Sequence, residues 1–313
     1  MSRFLVVGEA LIDVVRSTDG RSVEHPGGSP ANVALGLGRL GQRVELVTWI
    51  GEDERGQAIR AHLEDSGVGV HPASYSSEST SVAIATLNDG GAADYEFDVR
   101  YQLPRVEVGD DVGWVHTGSI AAVDAPSFEA TADLLERAQA AGAVITYDPN
   151  LRPSLMGEPA EVRPRVERLV AIADVVKVSD EDLEWLRPGQ DPADVAAEWA
   201  DGGRIVVVTR GGDGVLAVHR DGARVDVPAP RVDVVDTVGA GDSFMGGLLD
   251  GLARHAGVWA GERISEGEAE ARTALEALGV EDLRAVLERC ARIAAITVSR
   301  AGANPPGLDE LEG

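Results

Sequence analysis

The sequence of 313 residues contains a single cysteine and a single lysine. A lone cysteine forms no intrachain disulfide, which suits a reducing compartment, and the apolar surroundings of Cys290 predict a buried structural thiol. Lys177 follows Val176, so it cannot complete the Gly-Lys-Ser/Thr step of a Walker A loop. The sequence therefore excludes a P-loop nucleotide-binding protein.

Long apolar runs and positive charge are also scarce. No stretch approaches the length of a membrane span, and residues 1–15 include Glu9 and Asp13, which do not fit a signal peptide. The formal net charge is −25, and so acidic a surface repels nucleic acids and anionic lipids. We therefore expect a cytoplasmic protein that has neither nucleic acid nor membrane as a partner.

Short apolar runs alternate with helical segments along the chain. The runs at residues 4–7, 145–147 and 205–208 are typical of buried parallel strands. Apolar residues at helical spacing predict helices at residues 31–40, 56–65, 127–141, 163–172, 191–199 and 242–253. This alternation predicts an α/β fold with a doubly wound, mostly parallel sheet.

Two segments, residues 11–25 and 80–101, interrupt the alternation. The second has period-two patterning on both sides of residues 88–91 (NDGG), which predicts a hairpin. A small inserted sheet would cover the carboxyl edge of the main sheet as a lid. We therefore divide the chain into a core of residues 1–10, 27–72 and 105–313 and a β lid of residues 11–26 and 73–104. The acidic segment 257–279 predicts a solvated helical connection.

The most informative segment is residues 236–244 (DTVGAGDSF), which leads into an apolar helix. Gly239, Ala240 and Gly241 lack bulk, so their amides can approach a phosphate, and the helix adds its positive end there. Asp242 would face the same point, where its carboxylate could accept the proton of an attacking hydroxyl. A base beside an anion hole indicates a kinase, whereas a bare Gly-x-Gly-Asp would more often be a turn with a helix cap.

A second segment, residues 27–34 (GGSPANVA), pairs two glycines with a helix start. Ser29 is the candidate N-cap and Pro30 the first helical residue. Asn32 would then project from the first turn towards a ligand.

The two segments together resemble the signatures of the ribokinase-like, or PfkB, family of carbohydrate kinases. Further matches follow in the order of that family, at residues 8–13 (GEALID), 51–56 (GEDERG), 148–152 (DPNLR) and 209–214 (TRGGDG). The resemblance covers nearly the whole chain. It implies an ATP-dependent sugar kinase with a β lid, in which Asp242 is the base and the sugar is held by Asp13, Gly27, Gly28 and Asn32.

The resemblance also implies positions for the nucleotide and for metal ions. Ser179, Thr209, Gly211 and Gly214 match nucleotide-binding positions. Asp182 stands near the position of a family glutamate, where it would hold Mg²⁺ through water or simply share a helix cap with Ser179. A potassium ion would be bound, mainly by backbone carbonyls, at Asp236, Val238, Thr297, Arg300 and Gly302. We therefore expect ATP, Mg²⁺ and K⁺ as cofactors.

Arginine and histidine supply few further candidates. Arg100 in the lid and Arg152 are the arginines best placed in the sequence to meet the phosphates or the sugar. The six histidines have no ligand spacing, so no zinc site is expected, and His116 either lines the cleft or merely ends a strand.

Several functions remain open at this point. Residues 148–152 and 178–181 resemble bacterial fructokinases most, while 2-keto-3-deoxygluconate kinases share the first of these motifs. The lid lacks the Tyr-x-Arg arrangement expected for that carboxylate substrate, so fructose leads, and ribokinase is a further alternative. A non-catalytic sensor on a kinase fold is the candidate from another class. Residues 8–10 lack the glycine pattern of a nicotinamide oxidoreductase. Lids of two chains could pair into a homodimer.

Overall fold

The computed structural model describes residues 2–17, 21–87, 93–257 and 271–312. Its centre is a nine-stranded sheet with the strand order β13-β12-β11-β10-β9-β8-β1-β4-β5. All neighbours in this order run parallel except β12, which is antiparallel to β11 and β13. The strands of this sheet are β1 (Arg3–Val7), β4 (Val44–Val47), β5 (Val68–Val70), β8 (Val112–Gly118), β9 (Val144–Asp148), β10 (Val175–Ser179), β11 (Ile205–Thr209), β12 (Val215–Val218) and β13 (Arg224–Val227).

Helices cover both faces of this sheet. The helices are α1 (Ser29–Arg39), α2 (Glu54–Glu64), α3 (Ser119–Val123), α4 (Ala125–Ala140), α5 (Pro153–Met156), α6 (Pro159–Ile172), α7 (Asp180–Leu186), α8 (Pro192–Ala200), α9 (Ala240–His255), α10 (Ala271–Ala277), α11 (Val280–Val298) and α12 (Leu308–Glu312). Alternate residues of β1 enter opposite layers: Phe4 packs in one core cluster with Leu248, and Leu5 packs in the other with Leu135. Because both faces of the strands are buried, their sequences are continuous apolar runs.

A separate four-stranded sheet stands apart from the main one, with the order β3-β2-β6-β7. Its strands are β2 (Leu11–Arg16), β3 (Ser22–Gly27), β6 (Val82–Leu87) and β7 (Ala93–Asp98). Strand β2 is antiparallel to β3 and parallel to β6, which joins the two inserted segments into one sheet. The predicted inserted sheet is therefore present, while its predicted turn at residues 88–91 lies outside the described residues. The exact division into core and lid stays a prediction.

The predicted helices are found with shifted ends, and one cap prediction was wrong. Helix α1 begins at Ser29 with Gly28 as its N-cap, so Ser29 is the first helical residue and its side chain is available for another contact. Of the predicted connection at 257–279, residues 258–270 lie outside the described residues and helix α10 occupies part of the remainder. Among the helices described, none is long and apolar enough to cross a membrane.

Candidate active site

A cleft of about 1450 Å³ opens at the carboxyl ends of the central parallel strands, beneath the four-stranded sheet. This edge is where ligands bind in open α/β sheets, because several strands deliver loops to one place. Glu9 follows β1, Ser119 follows β8, Asn150 follows β9, Ser179 ends β10 and Thr209 ends β11, and all of them line the cleft.

Asp242 lies in the first turn of α9 and is held by three side chains. Its Oδ1 accepts a hydrogen bond from Ser29 Oγ at 2.7 Å, and its Oδ2 accepts one from Asn32 Nδ2 at 2.8 Å. Asn150 Nδ2 lies 3.4 Å from Oδ1. Ser29 and Asn32 come from the first turn of α1, so the beginnings of two helices meet at this carboxylate. The carboxyl group is fixed in place and still faces the cleft.

The start of α9 provides amide donors beside this carboxylate. Gly239 is the N-cap with φ +74°, and a Cβ at this position would lie 2.5 Å from the Cβ of Ala303. Only glycine fits there without strain. The first N–H groups of a helix have no intrahelical acceptor. Gly241 lines the cleft, where its amide can bind an anion, while the Ala240 amide donates to the Thr237 carbonyl oxygen at 3.2 Å.

Lys177 and Asp148 form a buried ion pair beneath that helix start. Lys177 Nζ lies 2.9 Å from Asp148 Oδ2, and the two side chains are 4% and 1% exposed. Burial raises the pKa of Asp148 to about 6, although the Lys177 ammonium opposes this shift. Burial would lower the pKa of Lys177, but attraction by Asp148 outweighs it and raises that pKa. Both groups are therefore charged at neutral pH.

The predicted sugar residues gather at the lid side of the cleft. Asp13 on β2 and the start of α1 line it, and the glycine pair lies directly behind them. A Cβ at Gly27 would lie 2.1 Å from Asp13 Oδ2, and one at Gly28, where φ is +103°, would lie 2.5 Å from the carbonyl oxygen of Glu9. The two glycines therefore make room for the Asp13 carboxylate and for a close backbone contact.

The two candidate arginines are placed differently. Arg152 lines the cleft, and its Nη1 donates to Asn150 Oδ1 at 2.8 Å and to the Leu151 carbonyl oxygen at 2.9 Å. Arg100 has a side chain that is 72% exposed, pairs with Asp98 at 3.2 Å and is absent from the cleft lining. The structure thus brings Arg152, and not Arg100, to the other candidate residues, and a sugar-binding role for Arg100 stays a prediction.

The opposite end of the cleft has bare backbone and apolar side chains. Gly214 has φ +88°, and a Cβ there would lie 2.2 Å from the Val227 carbonyl oxygen, while nothing lies within 4 Å of a Cβ at Gly211. Val232, Val234 and Val238 are 42–62% exposed and line this end. A flat, apolar, backbone-lined surface fits a nucleobase and ribose, so the residues present suit a nucleotide.

The chain matches the description "pfkB family carbohydrate kinase" over residues 1–310. The protein belongs to this family. It is 36% identical over 261 residues to a fructokinase from Rhizobium leguminosarum bv. trifolii, with 79% of each chain covered.

Two similar solved structures carry ligands. One is a double mutant of Vibrio cholerae O395 fructokinase in fructose-, ADP- and potassium-bound form, with a TM-score of 0.79, 27% identity and coverage of 100% of this chain and 97% of the other. The other is aminoimidazole riboside kinase from Salmonella enterica with aminoimidazole riboside and an ATP analogue, with a TM-score of 0.79, 27% identity and 99% coverage of both chains. The predicted family and fold are confirmed, and the protein is a carbohydrate kinase.

Asp182 of this kinase occupies a capping box. Its Oδ1 accepts from the Leu151 amide at 2.9 Å, and its backbone N–H donates to Ser179 Oγ at 3.0 Å. The helix-cap alternative is thus present, and the magnesium role stays a prediction. Among the described residues no cluster of three metal-ligating side chains occurs. A magnesium ion here would take most of its ligands from phosphate and water, which is its usual preference.

The two segments predicted to surround potassium lie side by side. Asp236 Oδ2 accepts from the Gly302 amide at 2.8 Å, and the Val235 amide donates to the Val298 carbonyl oxygen at 2.8 Å. Thr297 is buried and the Arg300 side chain turns away to pair with Glu310. Backbone carbonyls of both segments are therefore close together, while the role of potassium stays a prediction.

Sequence reasoning gave no role to several residues of the cleft. Glu9 is buried and accepts from the Ala121 amide at 3.0 Å, and burial raises the pKa of its carboxyl. Asn150 and Ser119 have positive φ values of 38° and 58°. Glu9 and Asn150 stood within the quoted motifs, and Lys177 was visible as the only lysine, so each had a signal but no assigned function. His116 does not line the cleft; it is buried, and its Nδ1 lies 3.0 Å from Thr146 Oγ1.

Proposed function

We propose that this carbohydrate kinase is an ATP-dependent fructokinase, which transfers the γ-phosphate of ATP to a hydroxyl of fructose. The observation that carries the proposal is the Asp242 carboxylate, fixed by Ser29 and Asn32 at the start of α9. The same cleft is lined by Asp13 and by the glycines and valines that suit a nucleotide. The names of the relatives favour fructose over other sugars.

In this mechanism Asp242 removes the proton of the attacking hydroxyl. The hydroxyl oxygen forms the new bond to the γ-phosphorus, the bond to the β,γ-bridging oxygen breaks, and ADP leaves with that electron pair. Amides at Gly239 and Gly241 would stabilise the charge of the transferring group, and the Ala240 amide would join them by exchanging its contact with the Thr237 carbonyl oxygen for the phosphate. The proton that leaves the hydroxyl resides on a carboxylate oxygen of Asp242 until solvent takes it.

The sugar would be oriented by Asp13, Asn32 and Arg152 with the backbone of Gly28. A carboxylate accepts hydrogen bonds from two adjacent hydroxyls, and an amide and a guanidinium donate to others. Thr209, Gly211 and Gly214 would receive the ribose and phosphates of ATP. Mg²⁺ bound to the phosphates would neutralise part of their charge, with Asp182 and Ser179 near it through water.

Potassium would bind where residues 235–238 lie beside residues 297–302. Carbonyl groups of Asp236, Val238, Thr297, Arg300 and Gly302 would ligate it and steady the backbone that enters the anion hole. This proposal predicts activation by KCl at fixed ionic strength. No response of the rate to K⁺ would contradict it.

Neutral sugars fit the cleft better than a carboxylate substrate. Arg100 pairs with Asp98 outside the cleft. Nη1 of Arg152 is engaged with its own loop, which leaves the rest of that guanidinium for a neutral hydroxyl rather than for the two-point contact that a carboxylate prefers. A sugar acid would need a cation free to meet its carboxylate.

A second copy of the chain could pair through the lid, whose strands expose Val15 and Val23, and light scattering would test this.

The first experiment is ADP release by the purified protein with ATP and Mg²⁺. The acceptors are fructose, ribose, tagatose, 2-keto-3-deoxygluconate, adenosine and aminoimidazole riboside. We expect the highest kcat/KM with fructose. Strong turnover of another acceptor would overturn fructose as substrate. No ADP release with any of these acceptors, together with intact ATP binding, would favour the non-catalytic sensor.

A further inference from the structure

The mechanism above leaves Lys177, the only lysine of the chain, without a role. Its side chain extends from the middle of β10 to the lining of the cleft. A buried ammonium is costly unless it is paired, and here Asp148 Oδ2 accepts from it at 2.9 Å. Asp148 Oδ1 is buried and has no hydrogen-bond partner within the described part of the chain.

The ammonium lies against the backbone of the anion hole. A Cβ at Gly241 would be 3.1 Å from Lys177 Nζ, so the lysine touches the second residue of α9 at the place where a side chain would begin. Gly241 belongs to the first turn of α9 and lines the cleft. A fixed charge at this distance in a buried site adds to the positive end of the helix.

Several carboxylates converge on this one buried cation. Besides Asp148, both Asp182 and Asp242 attract the Lys177 ammonium. Without it, a transferring phosphoryl group would approach three carboxylates with less compensating charge. The local balance of charge at the helix start therefore depends on Lys177.

We propose that Lys177 is a positioning residue for phosphoryl transfer: clamped by Asp148, its ammonium supports the Gly241 backbone and supplies fixed positive charge behind the anion hole. The inference rests on the phosphoryl transfer of the proposed function, whichever sugar accepts the group. It gives Asp148 the task of holding the ammonium beneath α9.

The alternative is a pair that merely stabilises the two strands, and a double variant separates the two cases. Removing one partner leaves an uncompensated buried charge, whereas replacing both by neutral groups of similar size restores much of the stability. Lys177→Met and Asp148→Asn are therefore made singly and together. Arg272→Met is the matched control, because Arg272 pairs with Asp174 at 2.6 Å, at the opposite ends of the same strands.

We expect Lys177→Met to lower both Tm and kcat. In the Asp148→Asn/Lys177→Met variant Tm should recover, while kcat stays about a hundredfold below the wild-type value, the scale for losing one electrostatic group of an anion hole. The sugar KM should change little, and Arg272→Met should lower Tm while it keeps kcat. Recovery of kcat in parallel with Tm would overturn the proposal.

A binding measurement keeps this test separate from the identity of the substrate. Calorimetry with ADP and with a non-hydrolysable ATP analogue measures how much the γ-phosphate adds to affinity. The double variant should lose the extra affinity for the analogue and keep that for ADP. Equal losses for both nucleotides, or none, would overturn the role of Lys177, whereas a failed acceptor panel concerns only the proposed substrate.

Discussion

At the scale of single residues, the catalytic carboxylate depends on donors from distant parts of the chain. Ser29 and Asn32 fix both oxygens of Asp242, and Asn150 approaches one of them. Among the described residues Oδ2 accepts from Asn32 alone, so it keeps a lone pair for the hydroxyl that enters from the cleft. The chemistry therefore depends on the charge of this group as well as on its position.

Replacing that charge should stop the reaction and leave the fold intact. We expect Asp242→Asn to lower kcat by about a hundredfold or more, because the amide cannot accept the proton. ATP affinity, measured by calorimetry, should be retained. The matched control is Asp250→Asn, in the same helix but paired with Arg254 and Arg289; it should lower Tm and keep kcat. A near-normal kcat in Asp242→Asn would contradict the assignment.

We expect the buried imidazole of His116 to make the folded protein less stable in mild acid. Burial lowers the pKa of its imidazole from 6.5 to about 3. Between these two pH values the imidazole is protonated in the unfolded chain and neutral in the folded one. The free energy of unfolding is unaffected by this imidazole above the pKa that it has in the unfolded chain. It falls as the pH falls below that pKa. From about pH 7 to about pH 5 the loss is about 2 kcal/mol.

Urea unfolding of wild type and His116→Gln at both pH values measures this contribution. Subtracting the two proteins removes the effect of the many carboxylates. The variant should lose about 2 kcal/mol less than wild type over the interval. Identical losses in both proteins would show that the buried imidazole is protonated in the folded state.

At the scale of elements, apolar patterning predicted strands β1, β9 and β11 and helices α1, α2, α4, α6, α8 and α9, because burial on both sheet faces produces continuous apolar runs. It did not mark the other strands of the main sheet or α11, the longest helix described. It could not predict the contacts between elements. The Lys177–Asp148 pair joins neighbouring strands. Ser29 was expected to cap α1, but the packing of α1 against α9 makes its hydroxyl a hydrogen-bond donor to Asp242. Positive φ at Asn150 also depends on tertiary contacts, which local sequence does not encode.

Helix α2 is tied to the lid through its N-cap. Asp53 Oδ1 accepts from the Gly56 amide at 2.8 Å and from Thr80 Oγ1 at 2.6 Å, while Oδ2 accepts from the Thr80 amide at 2.8 Å. Thr80 stands two residues before lid strand β6. The same carboxylate thus caps a core helix and anchors the base of the lid.

Asp53→Ala should destabilise both elements. We expect a loss of about 1–2 kcal/mol from the cap, with faster hydrogen exchange in β6 and a raised sugar KM. Asp191→Ala is the control, because Asp191 caps α8 through the Ala193 amide at 2.7 Å without contact to the lid. It should lower stability to a similar extent and leave exchange in β6 unchanged. Unchanged β6 exchange in Asp53→Ala would contradict the anchor.

At the scale of the whole molecule, the site exists only because the fold collects residues from the entire length of the chain. Asp13, Asn150, Lys177 and Asp242 are brought to one edge of a parallel sheet. The family motifs gave roles to Asp13 and Asp242 and contained Asn150 without a role, while Lys177 lies outside them. The motifs could not supply the distances, or the placement of Arg100 outside the cleft.

The net charge of −25 acts on the folded molecule as a whole. Repulsion among so many carboxylates opposes the compact state, and salt screens it. Raising NaCl from about 0.02 M to about 0.5 M shortens the Debye length several-fold, so we expect Tm to rise by about 1.5 °C for each kcal/mol of repulsion removed, the scale set by the unfolding entropy of 313 residues. Choline chloride should give the same rise, since screening does not depend on the cation. A further increase confined to KCl would report binding at the segments around Asp236 and Gly302, whereas a Tm insensitive to all three salts would contradict a destabilising repulsion among the carboxylates.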